Sequence, residues 1–146
     1  MLHLIQNLSE SVLNFLSHDP VRPHIPAEQR VGDNKDIFVL NGEDDAPRAI
    51  TCVSYQNSIP TAEHELFKVI DEPDTAVFYT IWSYKPGAGR ELIFDAVKYI
   101  KANKPNITKF VTLSPKTELA RRFHTKNGAV IFRENAETTN YEYLDR

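Results

Sequence analysis

A chain of 146 residues can hold one domain and is too short for two of ordinary size. Hydrophobic residues at 41% and charged residues at 25% exclude wholesale disorder, and no apolar stretch nears the roughly 20 residues that a membrane span needs. With 17 Lys and Arg against 20 Asp and Glu the net charge is -3, and the lack of a basic surplus argues against nucleic acid as a partner. Cys52 stands alone and no Cys/His zinc spacing occurs, so neither an internal disulfide nor a metal is expected, and the pattern suits a reducing cytoplasm.

Apolar residues at Ile5, Leu8, Val12, Leu13 and Leu16 make a helical stripe rather than a continuous hydrophobic core of a signal peptide. The spacing predicts an amphipathic helix over 1–19, stopped by Asp19-Pro20. Its apolar face is expected to pack on the domain or on a second subunit, which makes a homodimer an expectation. Its polar face lacks the basic residues that a membrane surface favours. Pro20, Pro23 and Pro26 form a stiff connection. Asp36 to Asn41 reads as a strand, residues 41–45 as its turn, and Arg48 to Tyr55 as a second, β-branched strand. Ala62, Leu66, Val69 and Ile70 predict a helix over 60–70, and Thr75 to Trp82 is the strongest strand in the chain.

Ser83 to Arg90 must be a loop, and Leu92, Ile93, Ala96, Val97 and Ile100 mark a helix that Pro105 ends. Ile107 to Leu113 is a strand. Ser114-Pro115 has the chemistry of a helix start and Asn127-Gly128 that of a helix end, and strands over 129–133 and 140–144 close the chain. The sum is one α+β domain over 1–146, a mixed, mainly antiparallel sheet flanked by helices.

Gly87 and Gly89 lie between a buried strand and a helix start, flanked by Lys85 and Arg90. Glycine admits close backbone approach, and unpaired N–H groups at a helix N-terminus suit a phosphate. A glycine turn before a helix is also common for structural reasons alone, so the loop by itself is a weak signal.

The order strand, glycine loop, helix, strand, short helix, strand, strand resembles the GNAT acyltransferase fold, as does Thr117-x-x-Ala120-x-x-Phe123-His124-x-x-Asn127-Gly128-Ala129. Three blocks are similar, more narrowly, to the catalytic domain of the malonyl-CoA decarboxylase family: Thr75 to Ile81; Gly89-x-x-Leu92-Ile93 through Phe110-Val-Thr-Leu-Ser-Pro115; and Phe123 to Ala129 with Arg133-x-Asn135 and Asn140-Tyr141-x-Tyr143. The likeness runs over 47–146. It implies a coenzyme A pyrophosphate site over Tyr84, Lys85, Pro86, Gly87, Ala88, Gly89 and Arg90, malonyl-CoA or another acyl-CoA as substrate, and Ser114 and His124 as catalytic residues. Tyr84 stands where the GNAT loop usually has Gln or Arg, and His124 where that fold often has a tyrosine. The decarboxylases also carry a long insertion between their serine and histidine motifs, whereas nine residues separate Ser114 from His124. Their loop after the position of Asn135 is longer, and their separate N-terminal helical domain has no counterpart in these residues.

Under that resemblance Ser114 would orient the departing carboxylate, and His124 would protonate the enolate, its charged form favoured by the C-terminal end of its helix. Backbone N–H groups of a splayed strand would hold the thioester oxygen. Each residue also has a plainer role: Ser114 as a helix cap, His124 as a terminal cation, Tyr141 and Tyr143 as packing, Cys52 as a small buried hydrophobe. His3, His18, His24 and His64 read as surface or packing residues, and Trp82 as either core or cleft border. The other functional readings are transfer of an acyl group to an amine or carrier thiol, and a non-catalytic acyl-CoA-binding module.

Overall fold

The computed structural model describes residues 2–5, 11–44 and 46–144. Its sheet comprises β1 (Leu2–Leu4), β2 (Lys35–Asn41), β3 (Pro47–Gln56), β4 (Thr75–Ser83), β5 (Lys109–Thr112), β6 (Ser114–Pro115), β7 (Val130–Glu134) and β8 (Thr138–Glu142). The order is β1-β2-β3-β4-β5-β8-β6, with β7 paired to β8. Every pairing is antiparallel except β4 with β5. The β4–β5 crossover is helix α1 (Ala88–Asn103), and α2 (Glu118–Lys126) follows β6.

Alternation along the strands divides the core into two layers. Phe38, Leu40, Val53, Ala76 and Phe78 pack with Leu92, Ile93, Ala96 and Ile100 of α1 on one face. Ile37, Val39, Ile50, Cys52, Val77 and Tyr79 face the other side, where Ile5, Leu16, Ile25 and Leu66 cover them. Because both faces are buried, Ile37 to Leu40 is a continuous apolar run rather than an alternating one.

Three expectations need correction. The helix over 1–19 is replaced by β1, in which Leu2, His3 and Leu4 pair with Leu40, Val39 and Phe38, followed by a 3-10 helix at Ser11–His18. The open edge of β2 offers these residues a ladder, and tertiary pairing outweighs local periodicity. Of the predicted apolar stripe Ile5 and Leu16 are buried, while Leu8 and the side chains of Val12 and Leu13 lie outside the described residues. The helix over 60–70 shortens to a 3-10 turn at Glu63–Phe67. Its exit carbonyls are taken by β3 and Asn34: Leu66 O accepts from Ser54 Oγ at 2.6 Å, and Lys68 O from Asn34 Nδ2 at 2.7 Å. Ser114-Pro115 is not a helix start but strand β6, paired to Thr139 and Thr138. Thr117 caps α2 instead, its hydroxyl accepting from Ala120 N–H at 3.1 Å. The remaining strands and α1 fall within a few residues of their predicted bounds.

Candidate active site

The site arises where the sheet comes apart. β4 and β5 pair in parallel from Thr75–Lys109 to Phe78–Thr112, and Leu113 N–H donates to Phe78 O at 3.1 Å. Beyond that point the chain of β5 turns to β8 through β6. On the other side the β3–β4 register shifts between Cys52 and Val53, which pair with Thr80 and Phe78, so Tyr79 is the extra residue of a β-bulge. Splay and bulge together open a cleft of about 640 Å³ between residues 78–83 of β4, residues 113–115, α2 and Gly89. Among the described residues, His124 is its only titratable wall residue apart from the Tyr79 phenol, and no Asp, Glu, Lys or Arg lines it.

Both predicted catalytic residues lie in this wall. Ser114 is 4% exposed, and its hydroxyl donates to Thr112 Oγ1 at 2.7 Å. Thr112 is held in turn: its Oγ1 accepts from Tyr141 N–H at 3.1 Å, and its carbonyl accepts from Asn140 Nδ2 at 2.8 Å. The Asn140 amide also donates to Pro60 O at 2.9 Å, while its oxygen accepts from Asn135 at 2.9 Å and Arg133 at 3.2 Å. A buried amide satisfied on both ends is a rigid support. Arg133, Asn135 and Asn140 thus fix the strand end that presents the serine.

His124 sits in the last turn of α2, stacked on Tyr141 (centroids 5.0 Å apart, planes at 29°). Its Nδ1 lies 2.7 Å from the Tyr143 hydroxyl. The expected charged imidazole is corrected here, because burial lowers its pKa from 6.5 to about 4 and outweighs the helix end. At neutral pH the ring is uncharged. When the Tyr143 O–H donates across this contact to Nδ1, the ring proton resides on Nε2. Tyr141 and Tyr143, read from the sequence as packing, are therefore part of the site. Their alternation along the strand was visible, but their contact with α2 was not.

The glycine loop has a divided role. Gly87 adopts φ +78° and caps α1 without a side chain, a conformation that favours glycine. At Gly89 a Cβ would stand 2.9 Å from Phe123 Cε1, so glycine lets α1 and α2 meet at the cleft wall. Ala88 N–H is used by Lys85 O at 3.2 Å, while the next N–H groups, at Gly89 and Arg90, precede the first intrahelical acceptor. Lys85 and Pro86 are exposed, and Arg90 stacks on Phe94 (4.8 Å) and donates to Asn127 Oδ1 at 3.3 Å. Tyr84 turns toward the sheet instead: its hydroxyl accepts from Trp82 Nε1 at 2.9 Å and lies 3.0 Å from His18 Nδ1. Trp82 serves both roles left open by the sequence, as a core residue at 8% exposure and as cleft wall. Cys52 is buried with its thiol pushed up to about 11 by desolvation, the behaviour of an inert residue. His24, by contrast, pairs with Glu63 at 2.6 Å.

A mixed sheet splayed between a bulged fourth strand and a parallel fifth, with a glycine turn opening the crossover helix, defines the GNAT fold, and the chain has that fold. No family model matches the chain, and no curated protein sequence matches it. Among solved structures it is similar to malonyl-CoA decarboxylase from Agrobacterium vitis (23% identity, TM-score 0.70, 93% of this chain and 38% of that one). It is likewise similar to malonyl-CoA decarboxylase from Cupriavidus metallidurans (15%, TM-score 0.76, 99% and 60%). A Bacillus subtilis acetyltransferase in complex with CoA also matches (14%, TM-score 0.63, 99% and 97%). The chain thus spans 38% to 60% of the length of these two decarboxylase structures.

Proposed function

We propose that the chain binds acyl-CoA and decarboxylates a malonyl thioester to acetyl-CoA and carbon dioxide. The observation that carries this reading is the placement of Ser114 and a neutral His124 on one uncharged cleft wall. The coenzyme A pyrophosphate lies over the N-terminus of α1, where Gly89 and Arg90 N–H groups and the Lys85 charge meet it. The thioester lies along the bulged half of β4.

Decarboxylation suits such a wall. A carboxylate taken from water into a cleft with no cation is destabilised, and losing carbon dioxide removes that charge. Ser114 turns its hydroxyl from Thr112 to the carboxylate and orients the C–C bond for cleavage. The electron pair of that bond passes into the thioester, making an enolate whose oxygen takes hydrogen bonds from strand N–H groups. His124 Nε2–H then delivers its proton to the enolate carbon while Tyr143 supports Nδ1, and water restores the proton. A neutral imidazole serves as a proton donor to a strongly basic enolate, a role its low pKa does not impair.

Acyl transfer to an amine is less well served. The acceptor arrives as an ammonium and needs a base, yet no carboxylate lines the cleft and a histidine of pKa about 4 is a weak one. Mass spectrometry of malonyl-CoA incubated with the protein tests the proposal. Acetyl-CoA is expected with the wild type, and a fall of about a hundredfold or more with His124→Ala. Intact malonyl-CoA despite tight binding would overturn decarboxylation and leave the coenzyme A site.

A further inference from the structure

The cleft passes from one face of the sheet to the other. On one face α1 and α2 border it, through Gly89 and Phe123. On the opposite face Pro20 and Val21 border it. Leu16 and Ile25, which flank that pair in the chain, pack in the core layer of Val39 and Val77, away from α1. Val21 is half-buried and its backbone is held without slack. The buried Asp19 accepts through Oδ1 from Val21 N–H at 2.8 Å, from Arg22 N–H at 2.9 Å and from the Thr80 hydroxyl at 2.7 Å. Its Oδ2 accepts from Arg30 Nη1 at 2.9 Å. One residue past Val21, the Arg22 guanidinium donates through Nη1 to the Tyr79 carbonyl. Both members of the bulge are thus tied to the residues on either side of Val21.

A carboxylate satisfied by four donors is a rigid support, and a side chain mounted on it cannot retreat from a ligand. Valine suits a fixed stop, because its branched side chain has few rotamers in which to yield. With coenzyme A at the N-terminus of α1 and the thioester along the bulged half of β4, the acyl group points through the gap to the face on which Val21 stands. Pro20 and Val21 meet it there with carbon alone. We propose that Val21 is a specificity-determining residue: it forms the end wall of the acyl site and restricts the cleft to short acyl groups. This rests on the acyl-CoA reading above, and not on the decarboxylation step.

Isothermal titration calorimetry of the full chain with CoA, acetyl-CoA, butyryl-CoA and hexanoyl-CoA tests the end wall, since chain-length preference is read without turnover. The wild type is expected to bind hexanoyl-CoA about tenfold or more weakly than acetyl-CoA, and Val21→Ala to close most of that gap with CoA affinity unchanged. Val21→Phe moves the limit the other way and weakens butyryl-CoA against acetyl-CoA; it carries the test if the alanine variant does not fold. A wild type that binds hexanoyl-CoA as tightly as acetyl-CoA overturns the end wall and leaves the acyl-CoA reading standing. So does a folded variant with the wild-type chain-length profile. A wild type that binds none of the four overturns the acyl-CoA reading, and the end wall falls with it.

Discussion

His124 shows how a single side chain can receive opposite instructions from its helix and from its surroundings. The last turn of α2 favours a cation there, yet burial lowers the pKa to about 4. The consequence for stability has a definite sign. Above pH 6.5 the ring is neutral in both folded and unfolded chains and contributes no pH dependence. Between 6.5 and about 4 the unfolded chain takes up a proton that the folded one refuses, so stability falls with pH by up to about 3 kcal/mol. Thermal unfolding of wild type and His124→Gln across this window should show a slope in the first and a shallower one in the second. Asp19 acts lower down. Burial pushes its pKa up, but hydrogen bonds from Arg22 N–H, Thr80, Val21 N–H and Arg30 outweigh that and hold it below 3.8. Its contribution is thus full above that value and is lost as pH falls through the lower, folded-state pKa. That histidine belongs to the last turn was legible in the sequence. Its neutrality was not, because desolvation depends on what covers the ring.

The short elements between β5 and α2 separate a structural role from a chemical one. Ser114 and Thr117 are both hydroxyl residues near a helix start, and the Ser-Pro pair looked like the cap. Pairing of β6 with β8 instead commits Ser114 to the sheet, and Thr117 takes the capping bond. Thr117→Ala should therefore cost about 1 kcal/mol in urea unfolding. Ser114→Ala should leave helix content unchanged while abolishing malonyl-CoA turnover; the reverse pattern would return the cap to Ser114. The segment over 19–30 is likewise more than the stiff connection its prolines suggest. Arg30 is wholly buried and bonds to Asp19 Oδ2 at 2.9 Å, Ile25 O at 3.0 Å and Cys52 Sγ at 3.4 Å. Removing one partner of a buried ion pair strands the other, so Arg30→Met should cost about 3–5 kcal/mol, read from the urea midpoint at constant slope. Nothing in the local sequence marks Arg30, since its partners come from other elements.

Across the whole molecule, composition, strand periodicity and turn chemistry carry the reading as far as one α+β domain with a glycine turn between a buried strand and a helix, and the resemblance of the element order and motifs to the GNAT fold supplies the rest. Those features are short-range: apolar runs, turn chemistry and β-branched content act within about ten residues of one another. The blocks from Phe110 to Pro115 and from Phe123 to Tyr143 carry the resemblance that implies Ser114 and His124 as candidates. Folding then decided three things that no local pattern contains. It placed Leu2–Leu4 on the edge of β2 rather than in a helix. It joined Asp19 to Thr80 and Arg22 to Tyr79 across 61 and 57 positions. It also buried His124 against Tyr141 and Tyr143 deeply enough to keep the ring neutral. Each depends on solvent exclusion or on a partner remote in sequence, and these are fixed only when distant segments pack together.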